Sequence, residues 1–123
     1  RRATKRSIVY RPKPSWRAYT PIDGIETSHD TQPISDILLN AHVLVTYYSN
    51  ASIDALAYGV PIYTIEGPCK VTSIGTLDDI ENADSYMTCD RQQLMNDISY
   101  CHFTKDEIAN GTMFRQFMRD GMI

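Results

Sequence analysis

Two apolar runs separated by a short helical segment constrain the fold of this chain more than any other feature. The first run, His42–Tyr48 (HVLVTYY), is almost entirely β-branched or aromatic, which is typical of a strand buried on both faces. Residues Ala51–Tyr58 follow at helical spacing and end at Gly59, a natural helix stop. Val60–Ile65 (VPIYTI) is the second run. A strand, a helix and a strand with short joints predict a crossover unit and therefore a parallel sheet.

The segment before this unit continues the same pattern. Ser7–Tyr10 predicts a strand that ends at the prolines of Arg-Pro-Lys-Pro. Residues 15–32 predict a long loop, and Pro33–Ala41 predicts a short amphipathic helix that Thr31 caps. The fold class predicted from these elements is α/β, with a parallel sheet flanked by helices.

The segment after this unit predicts further helices. Residues 69–86 predict an irregular excursion that carries an acidic patch, Leu77–Asp84 (LDDIENAD), and a short strand over Ser85–Thr88 is one possibility. Arg91–Phe103 predicts a helix. Thr104-Lys-Asp-Glu107 matches a capping box, which predicts a last helix broken at Gly111. His42, at the start of a buried strand, is predicted to be structural.

Composition is that of one ordinary globular domain. The chain has 123 residues, of which 42% are hydrophobic and 22% charged. No apolar run approaches the roughly 18 to 20 residues of a membrane span, and no signal peptide is evident, so a cytoplasmic location is expected. Cys69, Cys89 and Cys101 are odd in number and widely spaced, which predicts free thiols. We expect a linker or a boundary with further sequence over residues 1–6 and a single domain over residues 7–123.

Charge is segregated along the chain. The net charge is −3, yet seven of the 12 basic residues lie within the first 17 positions, where there is no acid. Such a segment indicates either a local anion contact or a solubilising tail. A pI near 5.5 and the lack of interleaved aromatic residues argue against a nucleic-acid partner.

Ser49-Asn50-Ala51-Ser52 lies where the first apolar run gives way to the helix. Ligands of parallel sheets bind at this carboxyl edge, and a helix start carries unpaired N–H groups and partial positive charge. Small hydroxyl and amide side chains there predict a phosphate cradle. The alternative is that Ser49 and Asn50 only cap the helix, because serine and asparagine are common N-caps. Both interpretations remain open at this point, and neither a P-loop nor a dinucleotide fingerprint is present.

Arg11 and Lys13 follow the first predicted strand. If that strand belongs to the same parallel sheet, its end lies on the edge that carries Ser49, and the two cations complete a diphosphate site. The alternative is that both are solvated surface charges.

Three phrases together resemble the C-terminal nucleotide-binding half of GT-B glycosyltransferases, in particular the capsule polysaccharide and CDP-glycerol-type polymer transferases of bacteria and phage. The phrases are IVYRPKP, ISDILLNAHVLVTYYSNASIDALAYGVPIYTIEG and HFTKDEIANGTMFRQFM, and the resemblance spans about residues 7–118. It implies a Rossmann-like parallel sheet, that is, a single GT-B-type half with C-terminal helices.

The resemblance also implies roles for eight residues. The donor diphosphate would be bound by Arg11, Lys13, Ser49, Asn50 and Ser52; Asp54 would contact the donor, for instance at its ribose; and Gly59 and Pro61 would shape the turn into the next strand. Lys13 stands where similar sequences often carry histidine, and Asp54 where they carry glutamate.

The activity that the resemblance implies is transfer of a sugar or a polyol phosphate from a nucleotide-activated donor to an acceptor hydroxyl, as in polysaccharide biosynthesis. It implies no metal or cofactor, and its partners are a nucleotide sugar, an acceptor glycan or other hydroxyl, and an acceptor-binding N-terminal domain outside this chain. The isolated chain is therefore expected to be inactive, and no catalytic base is identified. A sugar-nucleotide epimerase of the same architecture and a non-catalytic α/β interaction module are the alternatives.

Overall fold

The computed structural model describes residues 4–13, 18–28, 31–86 and 90–123. The chain divides into two compact units, Arg1–Cys89 and Asp90–Ile123. Neither composition nor spacing indicated a division at this point. Cys89 lies outside the described residues. So do Met87 and Thr88, the second half of the strand suggested for Ser85–Thr88.

The predicted crossover unit is present in the first unit. Strand β3 (Leu44–Thr46) pairs in parallel with strand β4 (Ile62–Thr64). Helix α2 (Ala51–Tyr58) joins the two strands and packs against both. Gly59 ends α2 in the left-handed region at φ 73°, a conformation that glycine adopts without strain. The mixed α/β class and the parallel pairing are therefore confirmed.

A second parallel pair precedes this unit. Strand β1 (Val9–Tyr10) pairs with strand β2 (Glu26–Thr27), which lies inside the segment predicted to be a loop. A strand of two residues has no periodicity from which to predict it. The described strands form two separate two-stranded sheets, β1–β2 and β3–β4. A single sheet that joins these two pairs is not seen in the part of the chain that the structure describes.

The prediction that the first apolar run is buried on both faces is wrong. Val45, in the middle of β3, is 52% exposed, whereas its neighbours Leu44 and Thr46 are half-buried. Successive side chains of a strand face opposite sides, so one side of β3 is covered and the other is accessible to water. Tyr47 and Tyr48 follow the strand and are exposed as well. An apolar run cannot by itself distinguish burial on one face from burial on two.

The core of the first unit lies between its helices and β4. Helix α1 (Ile34–Leu38) packs against α2, and Leu38, Leu56 and Ile62 are fully buried there. Helix α1 is shorter than predicted and its predicted cap is wrong. Pro33 stands at the N-cap position and no side chain caps the helix, so Thr31 has no such role.

The excursion after β4 is built from short helical turns. Lys70–Thr72 forms one 3₁₀ turn, and Leu77–Tyr86 forms further 3₁₀ turns with a kink at Asn82. Ser85 and Tyr86 therefore belong to a helical segment and not to a strand. The buried residues Ile74, Ile80 and Ala83 pack with Val43 and Tyr63 into a second hydrophobic cluster.

His42 has the structural role predicted for it. Its Nε2 lies 2.7 Å from the carbonyl oxygen of Ile80. A carbonyl oxygen only accepts, so Nε2 carries the proton and donates it. The ring thereby fixes the helical turns of the acidic patch to the start of β3.

The second unit is entirely helical, with helices α3 (Arg91–Tyr100), α4 (Lys105–Ala109) and α5 (Thr112–Arg119). Gly111, at φ 78°, separates α4 from α5, which confirms the predicted break. None of the three helices has a fully buried side chain. Phe103 and Phe117 meet edge to face, with ring centroids 5.6 Å apart.

The predicted capping box at the start of α4 is confirmed. The Glu107 N–H donates to Thr104 Oγ1 at 3.2 Å, and the Thr104 N–H donates to Glu107 Oε2 at 2.8 Å. The bond from the Thr104 backbone, followed by that from its hydroxyl, holds the pKa of Glu107 below its ordinary value.

Replacing Thr104 with alanine is expected to lower the free energy of unfolding of α4 by about 1 kcal/mol, because an N–H of the first turn loses its acceptor. Amide hydrogen exchange across Lys105–Ala109 measures the effect. Thr31→Ala is the matched control, since Thr31 precedes a helix without capping it, and exchange in α1 should not change. Equal effects of the two substitutions on their own helices would contradict the prediction.

Candidate functional site

Two loops meet at the carboxyl ends of β3 and β4. The Glu66 N–H, just after β4, donates to the Tyr47 carbonyl oxygen, just after β3, at 2.9 Å. Gly67 has φ 111°, and a Cβ atom there would lie 3.9 Å from the Ser49 nitrogen. The loop after β4 therefore lies directly beside the residue that begins the approach to α2. This is the edge at which parallel sheets bind their ligands.

Protein groups close the first turn of α2. Ser49 Oγ accepts from the Ala51 N–H at 3.1 Å, and the Ser49 carbonyl accepts from the Ser52 N–H at 3.1 Å. The Ile53 N–H donates to the Asn50 carbonyl at 2.9 Å. This is the arrangement that the capping interpretation of Ser49 expects, since the amides are bonded without a ligand.

The structure brings the predicted residues of this stretch together but gives them different exposures. Ser52 is 1% exposed, and its hydroxyl donates to the Ser49 carbonyl at 2.7 Å. Asn50 is exposed and its side chain makes no cap bond. Asp54 is exposed one helical turn further on, so it shares a face with Asn50. Ser52 therefore fixes the loop, whereas Asn50 and Asp54 present polar groups to solvent.

Gly59 and Pro61 lie at the other end of α2. Gly59 turns the chain towards β4, and Pro61 is buried, with its carbonyl accepting from the Leu44 N–H at 2.9 Å. Both residues thus shape the entry into β4, at the end of the β3–β4 pair opposite to Ser49.

Arg11 and Lys13 lie after β1 and so belong to the other strand pair. An Nη of Arg11 lies 3.4 Å from Ser28 Oγ, and Ser28 follows β2. The Ser28 N–H donates to the Tyr10 carbonyl at 2.9 Å, which ties the ends of β1 and β2 together. Lys13 is exposed. The two cations therefore stand at the carboxyl end of a different sheet from the one that carries Ser49.

A third cation, which the sequence analysis missed, lies at the end of β4. Lys70 Nζ donates to the carbonyl oxygen of Thr64, the last residue of β4, at 2.9 Å. The signal was the glycine and proline of Glu66-Gly67-Pro68, which turn the chain just before Lys70. No spacing rule indicates that this turn returns a lysine to the strand end.

Part of the basic N-terminal segment is held by the acidic patch. Arg6 Nε pairs with Glu81 Oε2 at 3.1 Å, and the Thr4 hydroxyl also donates to Glu81. The Thr4 hydroxyl, and then the charge of Arg6, lower the pKa of the Glu81 carboxyl. Within the described ranges, no three side chains of His, Cys, Asp or Glu are grouped as metal ligands.

No protein-family model, no curated protein and no solved structure matches this chain. None of the helices in the described part of the chain is both long enough and apolar enough to cross a bilayer. The function proposed for this chain is therefore based on its own residues.

Proposed function

We propose that this chain binds the diphosphate of a nucleotide-activated sugar, or of an activated polyol phosphate, as the donor half of a glycosyltransferase-like enzyme. The observation that carries the proposal is the meeting of the loops after β3 and β4 at the start of α2. There the Glu66 N–H bonds to the Tyr47 carbonyl and Gly67 lies beside Ser49. A small-residue loop between a strand and a helix, with a glycine turn next to it, suits the close approach of a phosphate.

The phosphate would bind at the first turn of α2. Its oxygen would replace Ser49 Oγ as the acceptor of the Ala51 N–H, which requires only rotation of a half-buried serine. The exposed Asn50 amide would add a donor, and the partial positive charge of the helix start favours an anion. Asp54, one turn along the same face, would accept hydrogen bonds from the ribose hydroxyls.

Cations would balance the charge of the diphosphate. The side chain of Lys70 reaches the carboxyl end of β4, and β4 pairs with β3, the strand that leads to Ser49. Arg11 and Lys13, at the end of β1, are the further cations assigned to the donor on the basis of the family resemblance.

In the proposed reaction an acceptor hydroxyl attacks the activated carbon of a sugar donor, or the phosphorus that carries the polyol in a polyol phosphate donor. The bond from that atom to the phosphate oxygen of the nucleotide breaks, and its electron pair remains on the departing nucleotide. The hydroxyl proton passes to a base that the acceptor-binding domain would supply. The residues of this chain contribute by stabilising the negative charge that develops on the leaving group.

The closed first turn of α2 favours a second candidate, a non-catalytic α/β interaction module. A helix start whose amides already have protein acceptors needs no ligand. This candidate predicts no affinity for nucleotides.

Calorimetric titration of the chain with UDP, CDP and GDP tests the proposal. We expect one nucleotide to bind, and Lys13→Ala and Asn50→Ala each to weaken its binding by about tenfold, as the loss of one phosphate contact should. Asn50 makes no cap bond, so its substitution removes a donor without loosening α2. Lys5→Ala is the matched control, because it removes the same charge from the basic segment but lies outside the proposed site.

Absence of binding to all three nucleotides would favour the interaction module. If Lys5→Ala and Lys13→Ala weaken nucleotide binding equally, the overall charge of the basic segment is the cause and Lys13 does not belong to the site.

A further inference from the structure

The buried side chain of Thr64 contacts both loops of the site, the one after β3 and the one after β4. Thr64 is the last residue of β4, is 0% exposed, and its Oγ1 lies 3.0 Å from the Tyr47 carbonyl oxygen and 2.5 Å from that of Glu66. Both neighbours are acceptors and a hydroxyl has one hydrogen, so it donates to the nearer oxygen, that of Glu66. The Tyr47 carbonyl has the Glu66 N–H as its own donor.

The backbone of Thr64 is bonded as closely as its side chain. Its N–H donates to Ser73 Oγ at 2.9 Å, and its carbonyl accepts from Lys70 Nζ at 2.9 Å. One buried residue therefore contacts the end of β3, the loop after β4 and the 3₁₀ turn that follows. Each buried side-chain nitrogen or oxygen among the described residues has such a partner, so this network is complete.

We infer that Thr64 is a positioning residue of the nucleotide site, an inference that rests on the proposed function. Its hydroxyl fixes the Glu66 carbonyl, which fixes Gly67 beside the Ser49 nitrogen. Because Thr64 is buried, it acts on a ligand only through the placement of these loops. A side chain that the ligand never touches thus determines how rigidly the backbone of Glu66 is held.

Three substitutions separate this role from simple packing. Thr64→Val keeps the shape of the side chain and removes the hydroxyl, whereas Thr64→Ser keeps the hydroxyl. Thr72→Val is the matched control. Thr72 is 6% exposed, and its hydroxyl donates to the backbone carbonyl oxygen of Cys69, within its own 3₁₀ turn. Each variant of the full chain is assayed for amide exchange at Glu66 and for the affinity of whichever of UDP, CDP and GDP the unsubstituted chain binds.

We expect Thr64→Val to speed exchange of the Glu66 amide and to weaken nucleotide binding, each by about tenfold, the effect of losing one internal hydrogen bond. Thr64→Ser should restore both, and Thr72→Val should change neither. If Thr64→Val does not fold, Thr64→Cys takes its place, because a thiol has similar size and is a weaker donor.

Two results overturn the inference. One is amide exchange at Glu66 that is equally fast in Thr64→Val and Thr72→Val. The other is a Thr64→Val variant whose Glu66 amide exchanges faster but whose nucleotide affinity is unchanged. An unsubstituted chain that binds no nucleotide overturns the proposed function and with it the role of Thr64 in a nucleotide site. The exchange rates then still decide whether Thr64 fixes the loops.

Discussion

Replacing Leu56 with alanine is expected to lower the free energy of unfolding of the first unit by about 3 kcal/mol, the usual cost of truncating a buried leucine. Leu56 is 0% exposed and lies on the inner face of α2, where it belongs to the same buried core as Leu38 and Ile62. The substitution removes apolar surface from the core and leaves a cavity that the surrounding residues fill only in part. Urea titration followed by far-UV circular dichroism measures the loss.

Leu39 provides the control for this prediction. It follows α1 and is 69% exposed, so Leu39→Ala removes the same atoms from the surface. Its effect should stay within about 0.5 kcal/mol. If the two alanine variants unfold at the same urea concentration, α2 does not pack as described.

Replacing Gly67 with alanine is expected to cost about 2 kcal/mol, because φ 111° is a conformation that residues with a Cβ atom rarely adopt. Space is not the obstacle. The added Cβ would meet Tyr48 Cδ2 at 3.8 Å and the Ser49 nitrogen at 3.9 Å, both ordinary contacts. The backbone must therefore rotate to relieve the strain, which changes the position of the loop beside Ser49.

Gly75→Ala is the matched control for the Gly67 substitution. Gly75 lies further along the chain after β4, its φ is not positive, and its added Cβ would lie 3.5 Å from Asp79 Oδ2, again an ordinary contact. Thermal melts of the two variants, together with amide exchange at Glu66, measure the difference. A Gly67 variant as stable as the Gly75 variant would show that the loop has no need of glycine.

The features that the sequence predicted well depend on neighbours in the chain. Helix α2 and its end at Gly59, and the capping box of Thr104, are set by residues within one or two helical turns of each other. Strand β2 was missed because a strand of two residues exists only through its pairing with β1, which is distant in sequence. The exposure of Val45 was missed for a similar reason, since what covers each face of a strand is decided by tertiary packing.

The same distinction applies to the candidate site. The position of Ser49 at the start of α2 was predictable because the strand, the loop and the helix are consecutive. The burial of Ser52 was not predictable. Its hydroxyl donates to the Ser49 carbonyl, and sequence spacing does not indicate whether a serine bonds to the backbone or to a ligand. The hydroxyl of Thr64 lies beside a carbonyl oxygen after β3 and donates to one after β4, and no local pattern marks this arrangement. Arg11 was expected in the same sheet as Ser49, but the described strands pair β1 with β2.

The absence of fully buried side chains in α3, α4 and α5 has a thermodynamic consequence. The enthalpy of unfolding increases with the size and packing of the cooperative unit, so it is small for a unit whose side chains remain in partial contact with solvent, and a small enthalpy broadens the melting transition. The three helices should therefore melt gradually, over a wide range of temperature. The unit that encloses Leu56 and Ile62 should melt as a sharp transition, and a single melting temperature would describe only that part of the chain.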